Sequence, residues 1–374
     1  MSPYLRLVCA LLLAGNAWGT VLAQPQAHAP ELQPASKDRC RIALDLGSSG
    51  IRAATTDTAT GRAPGRDIDM LAPLMQGRWL DPVLPAVAEA LQELPRQLGA
   101  PADCARMGAG FSAWRLAWQQ DTARLVMQLA ALEARTGVPV LVIPESVEGR
   151  YGHESARQAL GERLTTSHIL DIGGGSLQVA GQTHSFGAAL GQKAWHRMLC
   201  QALGRDAALP CALQPLSPPE IAQARALADA QLQGLSAQVG AATLTAISRP
   251  VTRGIAPALR ALGLSAGPAI DAHGLRQAID GLAPLPLAQA AAKTQAPPAF
   301  SGFLLSDLLL VEGVLRAMQI HTLEVAEVPI NNLPALLRDD RAFAWAQHHG
   351  CYLQRLAHSG PAAYFSDPAT CTSP

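Results

Sequence analysis

The chain has no excess of either charge: 29 Lys and Arg stand against 29 Asp and Glu in 374 residues. A surface so balanced argues against general binding to nucleic acid, so a polyanionic ligand has to be met by a local cluster. Aromatic residues are scarce, with only four Tyr and six Phe, which leaves few rings for stacking on a nucleotide base. No Cys-x-x-Cys pair or clustered His gives a zinc spacing. The apolar run 7–14 is too short to span a bilayer, so no membrane span is expected. No low-complexity tract or heptad repeat competes with an ordinary globular reading.

What is present begins with the ends. Residues 1–23 read as a secretory signal: Arg6 is the only charge, 7–14 is the apolar core, and Val21-Leu22-Ala23 is a small-x-small cleavage site before Gln24. Residues 24–38 read as a flexible leader. The expected mature protein is periplasmic or secreted, with 28 basic and 29 acidic residues once Arg6 is removed. Cys9 leaves with the signal, and Cys40, Cys104, Cys200, Cys211, Cys351 and Cys371 remain. An even number in an exported chain reads as disulfides, although spacing does not choose the pairing. Cys200 with Cys211 and Cys351 with Cys371 are the easiest local pairs. A mature length of about 350 residues predicts two domains.

One small pattern occurs twice, with Asp45 and Asp171 lying 126 positions apart. The two copies are Ala43-Leu44-Asp45-Leu46-Gly47-Ser48-Ser49-Gly50 and Ile169-Leu170-Asp171-Ile172-Gly173-Gly174-Gly175-Ser176. Each is an apolar strand, an Asp, a turn of small residues and a second apolar stretch, which predicts a hairpin. Bare amide groups at such a tip form a concavity for anions, and the leading carboxylate can hold a hydrated cation. A single Gly/Ser turn is usually only a turn; the repetition points to a duplicated phosphate clamp.

Strands and helices alternate through the first half. Strand signals cover 41–56 (as a hairpin), 107–111 and 138–143, and helical spacing covers 80–98, 121–136 and 146–160. The second half is rich in Ala and Leu and mostly helical. Ser217-x-x-Glu220 is a capping box opening a helix to about residue 237, and 303–318 is helical before a strand at 322–328. The expected fold class is α/β with two similar halves.

Several side chains could carry chemistry. Glu145 and Glu148 follow a strand and precede a helix, where a carboxylate can take a proton from water; equally, acids in a first turn simply favour the helix dipole. Arg115 could meet a phosphate through its fork, or stack on the surface beside Trp114 and Trp118. Ser176 and Gln178 could orient a water, or be a bonded polar pair on a strand. His153, His168 and His184 are spread out and receive no role. Arg249, Arg253, Arg260 and His273 could line a basic channel, or form a solvated helix face.

These residues resemble a known group. Asp45-Leu-Gly-Ser-Ser-Gly-Ile-Arg52 and Leu170-Asp-Ile-Gly-Gly-Gly-Ser176 look like the two phosphate motifs of the actin-like ATPase superfamily. Phe111-Ser-Ala-Trp-Arg115, the stretch 143–150 and the late stretch 303–332 make the layout similar to the exopolyphosphatase / guanosine-pentaphosphate phosphatase (Ppx/GppA) family. Glu148-Gly-x-Tyr-Gly152 and Asp171-x-Gly-Gly-x-Ser-x-Gln178 also resemble the ecto-apyrases. The resemblance implies two actin-like, ribonuclease H-like lobes with an active site between them: 39–150, then 151–340, with a C-terminal helix and disulfide-pinned tail at 341–374. It implies hydrolysis of terminal phosphoanhydrides of polyphosphate or a nucleotide polyphosphate with Mg²⁺ or Ca²⁺. Glu148 matches the base, with Ser176 and Gln178 placing the water. Gly47, Ser48, Ser49, Gly50, Arg115, Gly173, Gly174 and Gly175 match phosphate contacts, and Asp45 and Asp171 match the metal positions. There are two departures. Gln178 replaces a Glu of the exopolyphosphatase pattern, and a later Gly-Gly-Thr motif is missing from 246–256, which reads Ile-Ser-Arg-Pro-Val-Thr-Arg-Gly-Ile over 247–255. A sensor that binds phosphate without turnover is the alternative these departures motivate.

Overall fold

A computed structural model describes residues 40–56, 63–206, 210–265, 267–328 and 331–371. The signal and leader expected at 1–38 lie outside the described residues. The first sheet contains β1 (Arg41–Leu46), β2 (Gly50–Thr55), β3 (Gly65–Asp67), β4 (Ala105–Gly110) and β5 (Val140–Val142), in the order β3-β2-β1-β4-β5. The second contains β6 (His168–Ile172), β7 (Leu177–Gly181), β8 (Ser185–Ala188), β9 (Leu244–Ala246), β10 (Ala269–Asp271) and β11 (Thr322–Val325), in the order β10-β11-β9-β6-β7-β8.

The repeat in the sequence is a repeat in register. Asp45 stands opposite Arg52 and Leu46 opposite Ile51, just as Asp171 stands opposite Gln178 and Ile172 opposite Leu177. In both sheets the next neighbour of the leading strand is parallel, β4 beside β1 and β9 beside β6. Two apolar strands on either side of a two-residue tip can close in only one register without turning their buried side chains outward. Ile42, Leu44, Leu46 and Ile51, and likewise Leu170, Leu177 and Val179, are fully buried.

The helices follow the local signals closely. Thr122–Thr136 starts at Asp121, whose side chain accepts from the Arg124 N–H, and stops at Gly137 with φ 68°. These are the cap chemistries expected at each end. The capping box at Ser217 opens Pro218–Gln231, and a left-handed Gly234 ends that run short of residue 237. Among the described residues no helix is long and apolar enough to cross a membrane.

Two main cores show that the expected boundaries need correction. Leu333, Leu336, Trp345, Tyr352 and Tyr364 belong to the first core, together with β1 and β4 residues. The chain therefore returns to the first lobe before residue 340, and 341–371 is part of that lobe's core and not a separate tail. Two hydroxyl contacts explain the return. The Tyr352 hydroxyl accepts from the Val142 N–H at 2.9 Å and donates to the Val142 carbonyl at 3.0 Å, which satisfies the open edge of β5. Tyr151 and Tyr364 both donate to the buried Asp339 carboxylate, joining the helix Glu145–Leu160 to the C-terminal segment. That helix straddles the expected boundary at 150: Val147 and Tyr151 lie in the first core, whereas Ala156 packs with Ile169 and Ala180.

Disulfides join Cys200 to Cys211 and Cys351 to Cys371, the two local pairs expected, and Cys40 to Cys104. His196 lies beside the Cys200–Cys211 pair. Its ring nitrogens face the Ser306 hydroxyl and the Cys211 carbonyl, and the cysteines are bonded to each other, so no zinc set is available there.

Candidate active site

The two hairpin tips present amides to the cleft because their carbonyls are tied elsewhere. The Gly47 N–H donates to the Gly50 carbonyl at 3.0 Å, and the Gly173 N–H to the Ser176 carbonyl at 2.9 Å. The Ser48 carbonyl accepts from Met70 and Leu71, at 3.0 and 3.3 Å, and the Gly174 carbonyl accepts from Lys193 and Ala194, at 2.9 and 3.3 Å. The amides of Ser48, Ser49, Gly174 and Gly175 donate to no backbone carbonyl among the described residues. Unused amide donors beside pinned acceptors are the arrangement a backbone turn offers to an anion, and it occurs at both tips.

The glycines here serve close approach and not an unusual backbone, since none of Gly47, Gly173, Gly174, Gly175 or Gly191 has a positive φ. A Cβ on Gly174 would come within 2.6 Å of the Ser48 hydroxyl oxygen, so the two tips face each other across the lobes. A Cβ on Gly191 would stand 2.4 Å from the Ser176 nitrogen and 2.5 Å from the Gly175 nitrogen. Gly191 carries no sequence signal of its own; it becomes visible only when the chain folds against the second tip.

Beside the tips, Glu148 sits in the first turn of Glu145–Leu160, after Pro144. Arg115, on the helix Ser112–Gln120, reaches it from below: Nη2 to Glu148 Oε2 at 2.7 Å, Nε to Glu145 Oε1 at 2.9 Å, and Nη1 to the Ile143 carbonyl at 2.8 Å. Arg115 is only 3 % exposed, which removes the surface-stacking alternative. Both carboxylates do occupy a first turn, as the dipole reading required, but they are also held by one guanidinium. The Gln178 amide donates to Glu148 Oε2 at 3.0 Å and to the Ser176 hydroxyl oxygen at 2.9 Å. Glu148, Arg115, Ser176 and Gln178 thus form one connected cluster.

Its electrostatics are those of a buried acidic site. Burial pushes the Glu148 carboxyl above the usual carboxylate range, and Arg115 opposes that shift. Asp45 is raised to about 7 by burial and by the Glu148 charge, with the Asn332 amide pulling the other way. Asp171 is likewise raised to about 7 by burial and Glu148, opposed by Arg249. Burial disfavours a bare anion, and a further carboxylate nearby disfavours it again. The two incompletely compensated carboxylates offer the oxygen donors a hard divalent cation takes, but among the described residues they are not gathered with Glu148 into a three-ligand cluster. Asn332, whose Nδ2 lies 3.2 Å from Asp45 Oδ2, had no assigned role in the sequence reading, because it comes from the segment that returns to the first lobe.

The basic group disperses. Arg253 pairs with Glu327 at the surface, and Arg260 and His273 are exposed on different helices. Only Arg249 is felt at the site, by Asp171 and, on the other lobe, Asp67. The region of the missing third motif is β9 followed at once by a π-helical turn, Pro250–Ile255. His153 is a buried histidine held down at about 4 by burial and by the charges of Arg157 and His168.

No family profile matches the chain. An uncharacterized protein of Streptomyces coelicolor is 31% identical over 227 residues, covering 55% of this chain and 61% of that protein. The chain therefore spans about three-fifths of the length of the curated relative it matches. Among solved structures, a Ppx/GppA enzyme of Aquifex aeolicus superposes with a TM-score of 0.59 at 14% identity, over 81% of this chain and 99% of that one. This is the Ppx/GppA fold. An exopolyphosphatase-like protein gives 0.57 at 18% identity over 80% and 97% of the two chains. An exopolyphosphatase from Cytophaga hutchinsonii gives 0.53 at 14% over 77% and 94%. The two-lobed α/β architecture expected from the duplicated motif is the one these Ppx/GppA structures share.

Proposed function

We propose that this chain is a phosphohydrolase that removes the terminal phosphate of inorganic polyphosphate or guanosine pentaphosphate. The observation that carries the reading is the connected cluster of Glu148, Arg115, Ser176 and Gln178, set beside two facing cradles of free amides. Mg²⁺ or Ca²⁺, held by Asp45 and Asp171, would neutralise charge on the phosphates. The amides of Ser48, Ser49, Gly174 and Gly175, with Gly47, Gly50 and Gly173 shaping the turns, hold the oxygens of the terminal phosphate. Ser176 and Gln178 orient a water whose proton Glu148 takes as the water oxygen attacks phosphorus; the bridging P–O bond breaks and the shortened chain leaves. The raised pKa of Glu148 makes it a stronger base, and Arg115 keeps it ionised.

A second reading, hydrolysis of nucleoside di- and triphosphates, is favoured by one detail: Gln178 occupies the position where the apyrase-like motif carries Gln, and it contacts Glu148 directly. Three disulfides support a periplasmic or secreted location, where thiols oxidise and persist as bridges. The deciding assay is phosphate release with Mg²⁺ or Ca²⁺ from long-chain polyphosphate, ATP, ADP and guanosine pentaphosphate. Release from polyphosphate or guanosine pentaphosphate supports the first reading, and release from ATP and ADP the second. Glu148→Gln should lower turnover by about 10²–10⁴-fold while leaving the fold intact. A chain that binds these ligands but releases nothing is a sensor.

A further inference from the structure

A cavity of about 280 Å³ opens between the lobes next to the proposed catalytic cluster. Leu71 and Met75 of the first core and Met198 of the second line it, and Ala194, from the same helix as Met198, packs against the first core. It shares Arg115, Glu145 and Ser176 with the cluster, but Glu148, Asp45 and Asp171 do not line it. Gly175 of the second tip also lines it, so the cavity adjoins that tip on the Glu145 side of Arg115, with none of the proposed cation ligands in its wall.

The cavity contains one uncompensated cation. Arg115 is already matched by Glu145 and Glu148. Arg197, on the helix Gln192–Ala202, lines the wall and has no ion pair or hydrogen-bond partner among the described residues. Its Nε is buried and unsatisfied. The side chain as a whole is half-buried, and an oxyanion in the cavity would accept from its Nη groups. The apolar walls lower the local dielectric and strengthen that attraction. The volume is several times the roughly 30 Å³ share of a water, enough for a five-atom oxyanion and its hydration.

We propose that this cavity is a second phosphate site, which receives the orthophosphate released at Glu148 and holds it through Arg197. The assignment rests on the hydrolase reading for the origin of the phosphate, whereas the binding site stands on Arg197 and the cavity alone. The planar guanidinium can present two N–H groups to two phosphate oxygens, a geometry that lysine lacks.

The test is calorimetric titration of the full oxidised chain with inorganic orthophosphate, and separately with tripolyphosphate, without substrate turnover. Two orthophosphate sites are expected, one at the amide cradles and one at the cavity; the cavity site is weakened at least tenfold in Arg197→Met, less in Arg197→Lys, and retained in Glu148→Gln. Thermal melts of each variant establish that it folds. Orthophosphate binding that is absent or confined to a single site in the unaltered chain, or two sites that both survive Arg197→Met in a folded protein, overturns the proposal. So does a dependence on Arg197 seen with tripolyphosphate alone, which would make the cavity a subsite for the substrate chain. Arg197-dependent orthophosphate binding in a chain that releases no phosphate upholds the site and overturns the hydrolase reading alone.

Discussion

Replacing Arg115 by Met removes the one cation that, among the described residues, touches both Glu145 and Glu148. At an N···O distance of 2.7 Å to Glu148, the charge centres are about 4 Å apart. At an effective dielectric of about 20 their attraction is about 4 kcal/mol, or roughly three pKa units. The Gln178 and Ser176 donors remain, so the Glu148 pKa is expected to rise by only part of that attraction. A general base works only when ionised, and loss of the cation makes ionisation require a higher pH. The acid limb of the kcat/KM profile should therefore move upward by that amount, with activity lost first at the low end. The variant should also be less stable by about 1–3 kcal/mol at neutral pH, because two half-buried carboxylates lose their shared partner. Arg115→Lys should restore part of both effects. The pH profile of phosphate release, measured on variants shown by circular dichroism to be folded, decides the matter. An acid limb that stays in place in Arg115→Met would refute the role of Arg115 in setting the charge on Glu148.

Other expectations follow from single contacts. Gly191→Ala would place a methyl within 2.4–2.6 Å of the Ser176 and Gly175 nitrogens and the Gly173 carbonyl, so the second tip has to move. A loss of about 1–3 kcal/mol in stability and a slowing of phosphate release of about 100-fold are expected, checked by thermal melting and steady-state kinetics. Asp307, fully buried with Gln192 donating to it at 2.6 Å, has its pKa raised by burial to about 8. A raised folded-state value favours the protonated native state, so its contribution is complete below pH 4 and is lost as pH rises toward 8. Asp307→Asn should remove that slope and stabilise the protein at pH 8 by an amount on the order of a few kcal/mol; denaturant titrations from pH 5 to 9 that show parallel curves would rule this out.

Much of the site was written locally. The two Asp-x-Gly-x-x patterns contain both the apolar strands that pair and the small residues that turn, so hairpin, register and the row of unused amides come from one short segment each. Asp121, Gly137 and the Ser217 capping box likewise act on their own neighbours, which is why helix ends such as Thr122 and Thr136 were legible. Cys200 with Cys211 and Cys351 with Cys371 stood out as the easiest local pairs, although spacing alone did not choose among the pairings and Cys40 with Cys104 emerged only in the fold. The helical end at 237 was read too far because Gly234 adopts a left-handed conformation that alternation of apolar residues does not reveal.

What only the tertiary structure decided are the relations between distant segments. Arg115 looked equally suited to a surface stack until the helix carrying it was packed beneath Glu145 and Glu148. Asn332 reaches Asp45 only because the chain crosses back to the first lobe, drawn by the bonds from Tyr352 to β5 and by Asp339 to two tyrosines. Gly191 and Arg197 matter through what they face: the second tip for one, an interlobe cavity for the other. Periodicity and turn chemistry act over a few residues and can be read from the sequence. A pairing of charges or a shared cavity depends on how whole elements pack, and that is settled only when the cores of both lobes close.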